Sequence, residues 1–177
     1  MSNEIKILLV GLESIDKLSV AKSIIAQNDN LSIIPMFTTD ESFNNINDNY
    51  KYYLNVTEAN LAYKNNALFT ICTENYISQG ITFDDFYNHD ISFLNIYDFN
   101  NIPDRFFYEF EILVVWLDSS YNKATKKEIN EVKFLEERLK NFKYLYFLNE
   151  KSEDVANTIV EYLNDIEKRQ ELLEQNS

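Results

Sequence analysis

The segment GLESIDKLSVAK, residues 11–22, places a glycine and a lysine six positions apart, directly after an apolar run. A phosphate-binding loop has this outline: the pattern G-x-x-x-x-G-K-[ST] follows a strand and opens a helix, whose N-terminal N–H groups hold the phosphate. Gly11 and Lys17 stand at the positions of the first glycine and the lysine. Asp16 replaces the second glycine, and Leu18 replaces the hydroxyl that binds magnesium. Gly11 and Lys17 are therefore the candidate cofactor-binding residues.

Two acidic side chains weaken the case for nucleotide binding at this loop. Glu13 and Asp16 lie within the stretch that would surround a polyanion. Each unfavourable contact between charges about 4 Å apart costs roughly 1 to 4 kcal/mol, depending on the local dielectric. A glycine and a lysine at this spacing also occur in an ordinary strand–turn–helix. We therefore predict a vestigial loop, with no nucleotide cofactor and no bound metal.

Other residue types that could carry chemistry are sparse. His89 is the sole histidine, so a histidine-based triad or metal cluster lacks a second ligand. Asp84 and Asp85 could act as paired carboxylates, but the helix dipole also favours acids in the first turn of a short helix. Cys72 is the sole cysteine, which excludes a disulfide framework and a zinc cluster and predicts a core residue. The sequence predicts no catalytic residues.

The composition narrows the class of partner. With 16 basic and 29 acidic residues, the formal net charge is −13, which repels a nucleic acid and favours a protein partner with a basic face. Solubility alone would also explain this charge.

The chain contains two glycines, whereas about 7% of residues in an average protein are glycine. Enzymes that surround phosphates use glycine where the backbone must approach the ligand closely, so this scarcity disfavours such an enzyme. No apolar run is long enough for a membrane span, and no signal peptide is recognised, so a cytoplasmic location is expected.

Apolar runs alternate with amphipathic segments along the chain. The predicted strands cover residues 5–10, 32–37, 91–97, 111–117 and 144–149. Helical spacing marks residues 17–27, 125–142 and 152–166, and Thr125 with Glu128 forms a capping box at the start of the second. This alternation predicts an α/β fold, a parallel sheet of about five strands with helices on both faces and residues 5–10 central. We expect one domain over residues 1–167 and a fraying, charged tail over 168–177.

The sequence resembles the guanylate kinase branch of the P-loop nucleoside monophosphate kinases, collinearly over nearly all of residues 5–166. Besides the loop at Gly11, the resemblance rests on SIIPMFTTDE, NYKYYLNVTEANLAYKNNALFT, TENYISQGITFDDFYN, FLNIYDFNNI and EILVVWLDSS. It implies a three-layer P-loop kinase-like fold. It also implies a small inserted subdomain, over residues 40–90 or thereabouts, in the place where the family binds the monophosphate.

The departures from that family fall on its charged groups. Asp40 stands where the family has an arginine that contacts the monophosphate, and Asn95 and Tyr97 replace an acidic pair. The segment corresponding to the family's lid, SSYNKATKKEIN at residues 119–130, contains lysines but no arginine. Phosphoryl transfer depends on positioned cations and metal ions. The resemblance therefore implies an inherited fold without its catalytic groups, and we predict that the chain is not an enzyme.

The predicted function is then that of a protein-binding module. Abundant Asn, Ile, Tyr and Phe are typical of an AT-rich genome, and with the divergence they favour a phage-encoded factor. Such a factor would bind or inhibit host machinery that handles nucleic acids, in the host cytoplasm. Two alternatives remain open: a divergent nucleoside or deoxynucleoside monophosphate kinase that still uses Lys17, and a nucleotide-binding sensor without turnover.

Overall fold

A parallel sheet of four strands lies at the centre of the computed structural model, which describes residues 5–120 and 125–175. The strands are β1 (Ile5–Gly11), β2 (Met36–Thr38), β3 (Lys51–Tyr53), β4 (Leu68–Glu74), β5 (Ile77–Thr82), β6 (Ile91–Asn95), β7 (Glu111–Asp118) and β8 (Lys143–Leu148). The helices are α1 (Lys17–Gln27), α2 (Val56–Lys64), α3 (Phe83–Asn88), α4 (Ile96–Asn101), α5 (Lys126–Leu139) and α6 (Ser152–Gln175). The central sheet has the order β6-β1-β7-β8, with every pairing parallel. The predicted central position of β1 is confirmed.

The expected fifth strand, residues 32–37, is divided between two sheets. Its first half forms a single parallel bridge to the central sheet, between Ile33 and Ile91. Its second half becomes β2 and joins a different sheet. Pro35 lies between the two halves, and proline has no backbone N–H with which to continue a ladder. The strand that begins at residue 32 was expected to end near Pro35, which agrees with this break. The central sheet, expected to have about five strands, has four strands and this single bridge.

Helices cover both faces of the central sheet, as its apolar strands require. On one face, side chains of α1 and α6 pack against Ile7 and Leu9 of β1. On the other face, α4 and α5 pack against Leu8 and Val10 of the same strand. Side chains of a strand alternate between faces, so a strand buried on both faces is apolar at every position. The α/β class and the layered arrangement predicted from the sequence are confirmed.

A second sheet of four strands is formed by the chain between Met36 and Thr82. Its order is β3-β2-β5-β4, with β2 and β3 parallel and the other pairs antiparallel. Gly80 of β5 fits where no other residue would, because a Cβ there would lie 2.1 Å from the carbonyl oxygen of Thr70. The boundaries expected for an inserted subdomain stay a prediction.

Several helix boundaries depend on local sequence signals. The capping box that opens α5 is confirmed: the backbone N–H of Glu128 donates to Thr125 Oγ1 at 3.2 Å, and the N–H of Thr125 donates to Glu128 Oε2 at 2.7 Å. The chain turns into α4 at Ile96, earlier than the predicted strand end. Helix α6 continues to Gln175, beyond residue 168 where fraying was expected, because KRQELLEQ consists of good helix formers.

In the described ranges, no helix combines the length and apolar character needed to cross a bilayer.

Candidate functional site

The candidate site lies at the carboxyl edge of the central sheet, where residues 12–16 connect β1 to α1. Strands β6 and β7 end beside it, at Asn95 and Asp118. Ligands of open α/β sheets bind outside the carboxyl ends of the strands. This edge is therefore where the geometry of the loop decides whether a phosphate could be held.

Gly11 is explained by strand packing. It pairs with Leu117 of β7, and a Cβ at Gly11 would lie 2.7 Å from the carbonyl oxygen of Leu117. Its backbone does not adopt positive φ. The glycine therefore permits a close approach of two strands, which is a different task from giving backbone room to a phosphate.

Lys17 is folded back onto the loop that precedes it. Its Nζ donates to the carbonyl oxygen of Leu12 at 2.7 Å and lies 3.4 Å from the carbonyl oxygens of Gly11 and Ile15. The residue is 6% exposed. Burial lowers the pKa of Lys17 to about 8, although the negative charges of Glu13, Asp98 and Asp16 act in the opposite direction.

This loop directs carbonyl oxygens toward its centre, whereas an anion-binding loop directs N–H groups there. A phosphate-binding nest directs successive backbone N–H groups toward its centre. Here the groups that converge are carbonyl oxygens, from Gly11, Leu12 and Ile15, and they surround the ammonium group of the chain's own Lys17. The loop thus forms an internal cation site that is already occupied.

Several N–H groups near the helix start already have acceptors within the chain. The N–H of Ile15 donates to Leu12 O at 3.0 Å, and that of Lys17 donates to Ile15 O at 2.9 Å. Asp16 caps α1 by accepting from the N–H of Ser19 at 3.0 Å and from its hydroxyl at 2.6 Å. These bonds lower the pKa of Asp16, so its carboxylate stays ionised at the point where a phosphate would approach.

Apolar side chains anchor the loop to the two cores. Leu12 is buried beside α4 and α5, whereas Leu18, in the first turn of α1, is partly buried against the core on the α6 side of the sheet. Ile15 contacts both clusters. Leu18 stands where the motif has a magnesium-binding hydroxyl, and the neighbouring hydroxyl of Ser19 is bonded to Asp16. These contacts hold the loop in the conformation that encloses Lys17.

Asp98 is a site residue that the sequence analysis missed. It lies in the first turn of α4, directly after β6, and burial raises its pKa despite hydrogen bonds from Cys72 and the backbone of Asn95. The positive charge of Lys17 opposes this rise. The resemblance drew attention to Asn95 and Tyr97, while the acid is located one residue after Tyr97. Its place in a first helical turn at the carboxyl end of a strand was the available signal.

Asp118 ends β7 at the same edge and is buried. Its carboxylate accepts from the hydroxyl of Tyr146 at 2.8 Å and from the N–H of Ser119 at 2.8 Å. The hydrogen bond to Asp118 is the main reason that the pKa of Tyr146 rises to about 12. This pair ties β8 to β7.

Of the three residues identified by the resemblance, Asp40 has a clear structural role. Asp40 accepts from the N–H of Ser42 at 3.0 Å and caps the short 3-10 turn Glu41–Phe43, and these bonds lower its pKa. Asn95 precedes α4, and Tyr97 is 46% exposed. Lys127 Nζ lies 5.4 Å from the centroid of the Tyr97 ring.

The acidic pair Asp84 and Asp85 occupies the first turn of α3, as the helix-dipole argument favours. Asp85 accepts from the hydroxyls of Thr82 and Tyr52, at 2.8 and 2.7 Å, and so connects α3 to the second sheet. His89 Nδ1 lies 2.9 Å from the carbonyl oxygen of Asp85. The expected place of Asp84 and Asp85 in the first turn of a short helix is confirmed.

Cys72 differs from its prediction as a core residue. It is half-buried on β4, and burial together with the charge of Asp98 raises the pKa of its thiol. Leu68 and Phe69 at the start of β4 are buried, whereas the strand becomes exposed toward Glu74, on the side of Cys72. A raised pKa leaves little thiolate at neutral pH, which disfavours a nucleophilic role.

The lid segment of the resemblance, residues 119–130, is described in part. Residues 121–124 lie outside the described residues, and Lys126 and Lys127 begin α5. Within the described ranges, no group of three or more His, Cys, Asp or Glu side chains is arranged to hold a metal ion. The predictions about the lid and about metal binding stay predictions.

Comparison with known proteins supports the fold alone. No model of a known protein family matches the chain, and no curated protein matches it significantly. Among solved structures, the chain is similar to a guanylate kinase from Anaplasma phagocytophilum, with a TM-score of 0.55 and 14% sequence identity. The match covers 93% of this chain and 87% of that one. The chain therefore has a guanylate kinase-like fold.

Proposed function

We propose that this chain is a guanylate kinase-like protein without phosphoryl-transfer activity, and that it acts by binding another protein. One observation carries the proposal: the loop after β1 directs carbonyl oxygens at Lys17 and uses N–H groups internally. A nucleotide would have to break these contacts and then meet Glu13 and Asp16. The cost of placing a polyanion there exceeds what a single lysine returns.

The proposed partner has a basic face. The chain carries a net charge of −13, and complementary charge raises association rates and selects among partners. We further propose a phage origin, on the basis of the residue usage, and a partner among host proteins that handle nucleic acids. The corresponding location is the host cytoplasm, where the lone Cys72 stays reduced.

The competing candidate is a divergent nucleoside monophosphate kinase or a silent nucleotide sensor. It is favoured by the place of Lys17, the first residue of α1 directly after the loop, and by Asp98 beside it. Release of Lys17 from the carbonyl oxygens would free an ammonium group at the edge where a nucleotide would lie.

A coupled assay with ATP, magnesium and each nucleoside or deoxynucleoside monophosphate separates these candidates. We expect no turnover, whereas turnover near 1 per second, at the low end of typical enzymes, would establish the kinase. Thermal melts with millimolar ATP or GTP test the sensor. A ligand at a hundredfold excess over its dissociation constant stabilises the fold by about 2.7 kcal/mol, and we expect no such shift.

Pull-downs at increasing salt test the protein-binding role. We expect Lys17→Ala to retain the partner, because Lys17 is enclosed. Glu161→Lys and Asp165→Lys reverse two exposed acids on α6. We expect them to weaken capture of the partner and to make that capture less dependent on salt. Asn157→Gln and Asn164→Gln, on the same helix, provide the charge-neutral control. Capture that is indifferent to salt and to the reversals would show that the contact is apolar.

A further inference from the structure

Strand β4 leaves one edge of the second sheet open. It is the terminal strand in the order β3-β2-β5-β4, and among the described strands it pairs with β5 alone. The strand has seven residues, Leu68–Glu74. An edge strand presents N–H and C=O groups that can pair with a strand from another chain. β4 therefore offers a ladder of backbone partners.

A groove runs beside this strand at residues 68–71. Its opposite wall is the segment 101–106, between α4 and the start of β7. Ile102 is buried in this wall, and Phe106 packs against the core with its ring centroid 4.9 Å from that of Phe83. Tyr63 and Ile71, which are 64% and 36% exposed, flank the groove. Apolar side chains of a bound strand would contact these four residues.

The groove differs in charge from the rest of the chain. Lys64 and Arg105 line it, and none of its described lining residues is Asp or Glu. Neither basic side chain forms an ion pair within the described ranges. The guanidinium carbon of Arg105 lies 4.9 Å from the centroid of the Phe106 ring, which orients it along the wall. Asp104 lies in the same wall but is paired with Arg138, so the charges of Lys64 and Arg105 are the ones left to attract carboxylates in a chain of net charge −13.

The wall opposite β4 is held in place before any ligand arrives. Arg138 of α5 donates to the carbonyl oxygens of Phe99 and Ile102 and pairs with Asp104 at 2.8 Å. Its guanidinium also lies over the rings of Phe99 and Phe107, 5.0 Å from each centroid. A groove whose walls are already fixed loses less conformational entropy on binding.

We propose that the edge of β4 binds an extended, acidic segment of a partner protein by strand addition. Main-chain hydrogen bonds to β4 supply affinity, while carboxylates facing Lys64 and Arg105 and apolar side chains facing Phe106 and Ile71 supply specificity. The inference rests on the proposed protein-binding role and adds a site to it. This groove would bind an acidic segment of the partner, whereas the rest of the acidic surface is expected to contact a basic face of the partner.

The test uses a fluorescein-labelled, nine-residue peptide in which valine and glutamate alternate, measured by fluorescence polarisation against the full chain. We expect saturable binding that weakens with salt. Lys64→Glu combined with Arg105→Glu is expected to weaken binding at least tenfold. The matched control is Lys151→Glu with Lys168→Glu, which changes the net charge by the same amount away from the groove. Lys151 is exposed just before α6, and Lys168 is exposed on α6.

Two peptide controls require no change to the protein. Proline at alternate positions removes N–H groups needed for a ladder, and lysine in place of glutamate reverses the charge. We expect neither peptide to bind. Hydrogen exchange should show that the acidic peptide slows exchange of the backbone amides of β4.

Binding of the proline peptide with equal affinity, equal effects of both double variants, or no saturation at millimolar peptide would each overturn the proposal. Protection of β4 in a stable dimer without peptide would assign the edge to a second copy and overturn it too. The pull-down series on α6 does not involve this groove. Loss of peptide binding alone therefore leaves the proposed function standing, while loss of both would refute both.

Discussion

Raising the pH above neutrality is expected to stabilise this protein through Lys17. Burial lowers the pKa of Lys17 from 10.5 to about 8 in the folded chain, while the unfolded chain keeps the ordinary value. Between these two values the unfolded state binds more protons than the folded state. The free energy of unfolding therefore rises with pH across this window. Lys17→Met removes the titrating group and with it this part of the pH dependence.

The magnitude follows from the two pKa values. Each pKa unit by which the folded and unfolded values differ changes the free energy of unfolding by roughly 1.4 kcal/mol. Between pH 7 and pH 9.5 the linkage relation gives a gain of about 2 kcal/mol for the native chain relative to Lys17→Met. For a chain of this size that equals a relative rise in melting temperature of about 4 to 8 °C.

Urea unfolding of both proteins at pH 7, 8.5 and 9.5 measures this difference. All other titratable groups are common to both chains, so their contributions cancel when the two pH profiles are subtracted. Parallel profiles would refute the reasoning, because they would mean that Lys17 keeps its ordinary pKa in the folded chain and that the surrounding carbonyl oxygens and acids offset the effect of burial.

Two further substitutions test the packing that positions the site. Gly11→Ala places a methyl group against the carbonyl oxygen of Leu117, 2.7 Å away, and should lower the free energy of unfolding by about 1 to 3 kcal/mol; a change near zero would show that β1 and β7 separate easily. Arg138→Met should lower it by about 2 kcal/mol, since the carbonyl oxygens at the end of α4 lose charged donors. Lys140→Met, which removes an exposed pair with Glu137, is the control and should cost less than about 1 kcal/mol.

The sequence alone determined the four strands of the central sheet, the helices α1, α5 and α6, and their alternation, whereas its residue patterns did not predict the second sheet between Met36 and Thr82. Continuous apolar runs identified β1 and β7 because strands covered on both faces are apolar at every position. Helical spacing located α1, and reciprocal side-chain signals at Thr125 and Glu128 located the start of α5. These features depend on residues close together in the chain, so their patterns can be read directly. The resemblance to guanylate kinases added the three-layer arrangement, which the structural comparison supports.

The tertiary structure decided what the candidate site contains. The motif located Lys17, but the direction of its ammonium group depends on carbonyl oxygens whose orientation follows from the burial of Leu12 and Ile15. Asp98 and Cys72 are 26 positions apart in number and come together only because β4 approaches α4. The groove beside β4 likewise joins distant segments. Contacts of this kind arise from long-range packing, which no local pattern of residues specifies.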